Sequence, residues 1–174
     1  MTMSFAPGMN VFPGGGVSED DLASADPLLA CAIRETKEEV DIAVPVCHLF
    51  DRWVTPEVED QRFDVSFFVA DTEEEGRLTT TEAVAMRWID PAEALDGHRD
   101  GLLPMLRPTV LILEALASGR VDGQPTTPPV PKLPRRRLDG RWDVVHAETN
   151  DVLVSGVVGP DRAESDGSPM ASES

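Results

Sequence analysis

Hydrophobic residues recur with a helical period between positions 27 and 40. The buried stripe predicted for this helix consists of residues spaced three or four apart, namely Leu29, Ala32, Ile33, Thr36 and Val40. Ser24 or Asp26 can cap the N-terminus of the helix, and Pro27 suits its first turn, where a backbone N–H is not needed. The pattern therefore predicts an amphipathic helix that packs one face on the rest of the domain.

Strand-like patterns lie on both sides of this helix. A short apolar segment at residues 10–12 leads into Pro13-Gly14-Gly15-Gly16, which predicts a strand and then a loop whose backbone can approach a ligand closely. Val, Ile and Leu are frequent over residues 42–54, and residues 62–70 alternate between apolar and polar. Both segments are predicted to be strands.

The next part of the chain mixes both kinds of element. Residues 71–81 form a polar, acidic loop, and residues 83–89 are predicted to be a further strand. Helices are predicted at residues 90–95 and 103–117. Because strands and helices interleave, the predicted fold class is mixed α/β, with helices packed on a sheet.

The composition changes after residue 119. Residues 120–134 contain five prolines, which favour an extended, solvated linker over a helix. Two apolar segments, at residues 142–146 and 152–155, are spaced to pair as a β-hairpin. The final residues lack large apolar side chains and are predicted to be disordered. We therefore predict a domain at 1–119, a proline-rich linker at 120–134, a β-hairpin extension at 135–157 and a disordered acidic tail at 158–174.

The charge of the chain limits its partners. The formal net charge is −17, from 32 acidic residues against 15 lysines and arginines. Such a charge opposes broad binding to nucleic acid and to anionic membranes, so neither is expected as a partner. A phosphorylated substrate must therefore meet local cations, for which bound metal ions and a few arginines are the candidates.

The cysteines and the apolar runs bear on the cellular compartment. The two cysteines, Cys31 and Cys47, fall within apolar patterns and are predicted to be core residues, not a disulfide framework. The sequence shows neither a signal-peptide pattern nor 18 consecutive apolar residues. A cytoplasmic location is the expectation that follows.

Three glutamates near the end of the first predicted helix carry the clearest chemical signal. Glu38 and Glu39 follow Glu35 by three and four positions, so the three carboxylates lie on one helix face. They repel one another, and the negative end of the helix dipole adds to that cost. A bound Mg²⁺ would relieve the repulsion, because this ion takes a few carboxylates and completes its shell with waters and substrate phosphates. The alternative is that these glutamates only solvate a surface helix.

The glycine-rich loop and this helix together resemble the box of the Nudix hydrolases, G-x5-E-x7-R-E-U-x-E-E-x-G-U, in which U is aliphatic. Asp21 stands where the family has its first glutamate, and twelve residues, not seven, separate it from Arg34. Thr36 replaces an aliphatic residue, and Asp41 replaces the glycine that ends the helix. The positions that match are Gly15, Arg34, Glu35, Glu38, Glu39 and Ile42.

The longer spacer points to one branch of that family. It resembles the spacer of the coenzyme A diphosphatase-like members, as do RWVTP at residues 52–56 and RFDVSFFVA at residues 62–70. The resemblance implies an α/β/α sandwich with a mixed β-sheet. It further implies hydrolysis of a diphosphate linkage in a small, nucleotide-like substrate, including substrates of the coenzyme A type.

The resemblance also implies roles for individual residues. Glu35, Glu38 and Glu39 would hold Mg²⁺ or Mn²⁺, with help from the Gly15 carbonyl. Arg34 would orient the glutamates through charge-assisted hydrogen bonds. A water held by the metal would lose its proton to Glu39 or to a loop glutamate such as Glu82, and would then attack phosphorus.

Several of these residues have an ordinary alternative. Asp21 either supports the loop of the box or is simply an acidic residue at a helix N-terminus. Glu82 is either catalytic or a solvated loop carboxylate. Arg52 and Arg62 flank the predicted sheet and either contact phosphate or form surface ion pairs. Trp53 and Trp88 lie in strand-like segments and are predicted to be core aromatics rather than a platform for a nucleobase.

The last expectation concerns the N-terminal strand of the sheet. Members of the resembled family place a strand before the segment FAPG, and here only four residues precede it, so the N-terminal strand is expected to be missing. A missing strand leaves a sheet edge open, which a homodimer or the predicted hairpin would cover. The degenerate box and the missing strand support an alternative function, a catalytically impaired Nudix-like module that binds a nucleotide or a protein.

Overall fold

A computed structural model describes residues 8–55, 63–119, 132–136, 142–146 and 152–157 of the chain. These residues form a mixed α/β fold, which confirms the predicted fold class. The helices are α1 Glu19–Leu22, α2 Pro27–Val40, α3 Pro91–Arg99 and α4 Arg107–Ala117. The strands are β1 His48–Val54, β2 Asp64–Val69, β3 Lys132–Arg136, β4 Trp142–His146 and β5 Val152–Val157.

Helix α2 has the bounds that its sequence pattern predicts. The side chain of Asp26 caps it by accepting a hydrogen bond from the Leu29 N–H, at 3.1 Å, and Pro27 occupies the first turn. The helix ends at Asp41, whose φ of 54° lies in the left-handed region. That conformation explains why the Nudix box has glycine at this position. Asp41 is held there by ion pairs with Lys37 and Arg77, at 2.5 and 2.9 Å.

The sheet has the strand order β2-β1-β3-β4-β5. Antiparallel pairing joins β1 to β2, β3 to β4 and β4 to β5, whereas β1 and β3 are parallel and meet at the pair Trp53 and Lys132. The β1–β2 register shifts between Leu49 and Asp51. The sheet is therefore mixed but largely antiparallel.

The C-terminal strands confirm one expectation and correct another. β4 and β5 pair as the hairpin that the apolar segments predict, and Val145 of β4 is fully buried. β3 was not expected, because its residues Lys132–Arg136 overlap the segment assigned to a proline-rich linker. Pro134, which has no N–H to donate, lies opposite Val144 of β4. Residues 120–131 and the tail from 158 onward lie outside the described residues.

Several other element predictions were wrong. Residues 83–89, expected to be a strand, form no ladder, and the strand expected from residue 42 begins only at His48. Ile42 is apolar because it is buried in a cluster with Val40 and Val44, not because it belongs to a ladder. The strand expected at residues 10–12 is reduced to an isolated bridge between Asn10 and Met105.

The helix after residue 90 is longer than expected, since α3 runs from Pro91 to Arg99, and the last one is shorter, since α4 begins at Arg107. Two buried clusters form the described core. One joins α3 and α4 through Ala94, Met105, Val110 and Leu113, and the other is the cluster after α2.

Trp53 is buried as predicted, with 4% of its surface exposed, but Trp88 is 63% exposed, so its assignment to the core was wrong. No helix in the described part of the chain is long and apolar enough to cross a membrane.

Candidate active site

The glutamates at the end of α2 line a cavity of about 370 Å³, which we call the acidic cavity. Glu82 reaches the same cavity from the loop that follows β2. The other lining residues are Glu35, Glu38, Glu39, Thr79, Thr80 and Thr81. Residues separated by more than forty positions thus converge on one concave surface rich in carboxylates.

The loop is fixed by hydrogen bonds to the end of the helix. The last carbonyls of a helix have no partner within it, and here the backbone N–H groups of Arg77 and Thr79 donate to the carbonyls of Val40 and Glu39, at 2.8 and 2.9 Å. The Thr79 hydroxyl donates to the Glu38 carbonyl. Gly76 permits this approach, because its φ is 67° and a Cβ there would lie 2.7 Å from the Val40 carbonyl. The capped helix therefore positions residues 79–82.

Arg34 forms hydrogen bonds to several acidic residues of the site. Its Nη1 donates to Glu35 and to Glu38, each at 2.9 Å, and its Nη2 donates to the Gly16 carbonyl at 3.0 Å. The guanidinium also forms a two-pronged ion pair with Asp21, with Nη2 2.8 Å from Oδ2. One cation thus connects α1, the glycine-rich loop and two of the three helix glutamates.

Asp21 contacts both the N-terminus of α1 and Arg34. It is the third residue of α1 and forms a capping box with Ser18, and it is 5% exposed beneath Arg34. Hydrogen bonds from the Arg34 guanidinium, and then from the Ser18 N–H, hold the pKa of the Asp21 carboxyl far below its usual range. The hydrogen bond to Asp21, and then those to Glu35 and Glu38, raise the pKa of Arg34. Both groups are therefore charged at neutral pH.

The glycine-rich loop lies directly against the carboxylates. The Gly14 N–H donates to Glu39 Oε2 at 3.1 Å. A Cβ added at Gly15 would lie 2.2 Å from Glu35 Oε1, so a larger residue there would displace the Glu35 carboxylate. The Gly15 carbonyl accepts a weak hydrogen bond from the Cys31 thiol at 3.6 Å. The loop and the helix thus form one surface, as the resemblance implies.

The carboxyl of Glu39 lies among other acidic groups. Burial raises the pKa of its carboxyl, the Gly14 N–H opposes that shift, and the charges of Glu35, Glu82 and Glu38 raise the pKa further. Like charges therefore meet at Glu39 from both the helix and the loop. A raised carboxyl pKa is what general base catalysis near neutral pH requires.

The oxygen atoms around the acidic cavity are of the kind that a hard divalent cation binds. Carboxylate and carbonyl oxygens are the ligands of Mg²⁺ and Mn²⁺, and four carboxylates line the acidic cavity. In the described residues, however, no three His, Cys, Asp or Glu side chains converge closely enough to hold a metal ion. Glu35 and Glu38 instead turn to Arg34, and Glu39 turns to Gly14.

Of the two arginines considered for phosphate binding, only Arg52 lies in the described part of the chain, and it does not join this site. Arg52 forms an ion pair with Asp64 across β1 and β2, and that pair lowers the pKa of Asp64. Arg52 does not line the acidic cavity. Arg62 lies outside the described residues.

Sequence reasoning missed the backbone of Gly14 and the three threonines of the loop. The run Thr79-Thr80-Thr81 directly before Glu82 was a signal, because small hydroxyl side chains next to a carboxylate suit a polar cavity. The position of that run against α2 depends on hydrogen bonds between distant residues, which no local pattern shows.

A family model described as the NUDIX domain matches residues 3–108 of the chain. The match includes the glycine-rich loop, α2 and the loop that carries Glu82. No curated protein matches the chain. No solved structure matches it either.

Proposed function

The chain belongs to the Nudix family, and on that premise we propose that it hydrolyses the diphosphate linkage of a nucleoside diphosphate derivative with the help of Mg²⁺ or Mn²⁺. The family supports hydrolysis of this substrate class in general. The observation that carries the proposal is the acidic cavity, in which three helix glutamates and Glu82 face one another around the glycine-rich loop.

Each residue of the site has a part in the proposed reaction. Glu35, Glu38 and Glu39 would bind the divalent cation, and the Gly15 carbonyl, which has a second lone pair beside the one facing Cys31, would assist them. When bound, the cation offsets phosphate charge and makes water more acidic. Arg34 keeps Glu35 and Glu38 in place, and Asp21 keeps Arg34 in place.

The chemical step is the displacement of one phosphate group by water. The water oxygen forms a bond to phosphorus, the bridging P–O bond breaks, and the proton of the water passes to a carboxylate oxygen. Glu39, which accepts a hydrogen bond from the Gly14 N–H at 3.1 Å, is one candidate for this base. Glu82, which is exposed and faces Glu39, is the alternative base.

Only the resemblance to one branch of the family narrows the class of substrate. The long spacer between Asp21 and Arg34 and the segment RWVTP support a substrate of the coenzyme A type. A nucleotide sugar and a dinucleoside polyphosphate contain the same linkage and belong in the same test.

The test is hydrolysis of a panel of diphosphates, namely coenzyme A, a nucleotide sugar and a dinucleoside polyphosphate, with Mg²⁺ and with Mn²⁺, and it is measured by chromatographic separation of the two phosphorylated products. We expect hydrolysis of at least one of them, and loss of nearly all activity in Glu38→Gln and in Glu39→Gln. Glu93→Gln, on the surface of α3, is the matched control and should retain activity. Metal-independent hydrolysis, or full activity in both site variants, would contradict the proposal.

A second function rests on a specific observation. Glu35 and Glu38 are both hydrogen-bonded to Arg34, and the described residues contain no preformed metal site. A catalytically impaired module that binds a nucleotide or a protein would have these features. It predicts nucleotide binding without hydrolysis under any of the conditions above.

A further inference from the structure

A second cavity, of about 420 Å³, lies next to the acidic cavity. It is formed by residues 75–78 and 85–88, and we call it the Trp88 cleft. Leu78 lines this cleft and Thr79 lines the acidic cavity, and neighbouring Cα atoms are about 3.8 Å apart across a trans peptide. Its volume falls within the roughly 300–1,000 Å³ of small-ligand sites. The two cavities therefore lie side by side.

The indole of Trp88 is both exposed and fixed. It is 63% exposed, and its Nε1–H donates to the Glu75 carbonyl at 2.7 Å. Met86, which also lines the cleft, packs against the core cluster of Val40, Ile42 and Val44. The cleft thus presents a large flat aromatic surface that is held in orientation by the protein, which is what stacking on a planar ligand requires.

The cleft also contains an arginine that lacks an ionic partner. Arg87 is exposed, and within the described part of the chain no carboxylate pairs with it. The chain has 32 acidic residues against 15 basic ones, so an arginine without a partner is notable here. Arg77, at the same cleft, is already paired with Asp41. A guanidinium beside an exposed indole suits a ligand that is both aromatic and rich in acceptors.

We propose that the Trp88 cleft binds the nucleoside half of the substrate, with the base stacked on the Trp88 indole and Arg87 donating hydrogen bonds to acceptors of the nucleotide. The inference rests on the proposed function, because the diphosphate must lie at the acidic cavity for the base to reach the cleft. It assigns the recognition of the base to residues 85–88, which take no part in the chemical step.

The test measures binding alone, in the full-length chain with Mg²⁺ present, by ligand-observed NMR titration of probes that lack a diphosphate linkage. The probes are AMP, GMP, CMP and UMP, with ribose 5-phosphate as the control that lacks a base. We expect at least one nucleotide to bind about 10-fold more tightly than ribose 5-phosphate, in keeping with the strength of base stacking on an aromatic side chain. Equal affinity for all five probes, or no nucleotide binding, would overturn the proposal.

Variants then locate the binding. Trp88→Ala should remove most of the preference for the base, Trp88→Phe should keep most of it, and Arg87→Gln should weaken nucleotide binding several-fold. Leu102→Ala, which removes another exposed apolar side chain, is the matched control. Because Trp88 is exposed, its replacement should leave the fold intact. The melting temperature of each variant checks this. Unchanged nucleotide affinity in a folded Trp88→Ala variant would overturn the assignment.

A second copy of the chain is a competing occupant of the Trp88 cleft. Sedimentation, which gives the mass of the particle, tests for it. If Trp88→Ala changes the mass of the particle but leaves nucleotide affinity unchanged, the cleft is a subunit interface and the proposal is wrong. Failure of the proposed function has a different result, since base-dependent binding would persist while no diphosphate is hydrolysed. Hydrolysis without any preference for a base would leave the proposed function standing and overturn this inference.

Discussion

At the scale of single residues, the ion pair between Arg34 and Asp21 organises the site. Replacement of the family's glutamate by the shorter Asp21 keeps a carboxylate against the guanidinium, at 2.8 Å. The sequence pointed to both residues, because Arg34 matches the box and Asp21 stands where the box has a glutamate. It could not show that Arg34 also bonds to the Gly16 carbonyl, since that contact depends on how the loop folds over α2.

Stability should depend on pH through Asp21. The folded state lowers the pKa of this carboxyl, so its contribution is fully present above its unfolded pKa of about 4 and is lost as pH falls towards the folded value. Asp21→Asn should therefore be less stable than the wild type at pH 7, and the gap should shrink below about pH 4. Urea denaturation at several pH values measures it. Asp20→Asn, an exposed position on the same helix, is the control, and a gap independent of pH would refute the role given to the ion pair.

At the scale of elements, α2 was predicted to its ends because its cap, its proline and its apolar stripe agree. The wrong element predictions concern segments in which strand-like composition and pairing in the sheet do not coincide. Residues 83–89 have the composition of a strand but form no ladder, and β3 has the composition of a linker but pairs with its neighbours. Pairing joins residues distant in sequence, so composition alone could not assign it.

The left-handed end of α2 makes a prediction at this scale. A residue with a Cβ pays roughly 1–2 kcal/mol to adopt that conformation, and Asp41 offsets part of this through Lys37 and Arg77. Asp41→Ala removes the ion pairs and keeps the strain, whereas Asp41→Gly removes both. Asp41→Gly should therefore be more stable than Asp41→Ala by about 1 kcal/mol in urea denaturation. Equal stability of the two variants would argue against strain at this residue.

At the scale of the whole molecule, the C-terminal strands belong to the same sheet as β1 and β2. The sequence predicted their hairpin but not that β3 would join it to β1. The division of the chain into a domain at 1–119 and a separate extension stays a prediction. What the structure adds is that all residues proposed for chemistry precede residue 119, while part of the sheet follows it.

Truncation after Gly119 tests this arrangement. The fragment keeps every proposed catalytic residue but loses β3, which pairs with β1 at the buried Trp53. Removal of three strands exposes a sheet edge and apolar surface, so we expect a melting temperature lower by several degrees and a tendency to aggregate. Differential scanning calorimetry and light scattering measure both. A fragment as stable as the full chain would mean that β3–β5 contribute nothing to the domain.

The central claim is that the carboxylates at the end of α2 bind a divalent cation, and titration with Mn²⁺, followed by the paramagnetic resonance signal of the free ion, tests it most directly. We predict that the wild type binds Mn²⁺ and is stabilised by it against heat, and that the Glu38→Gln, Glu39→Gln double variant loses both effects. The Glu93→Gln control should bind as the wild type does. Equal binding and equal stabilisation in the wild type and the double variant would contradict the claim.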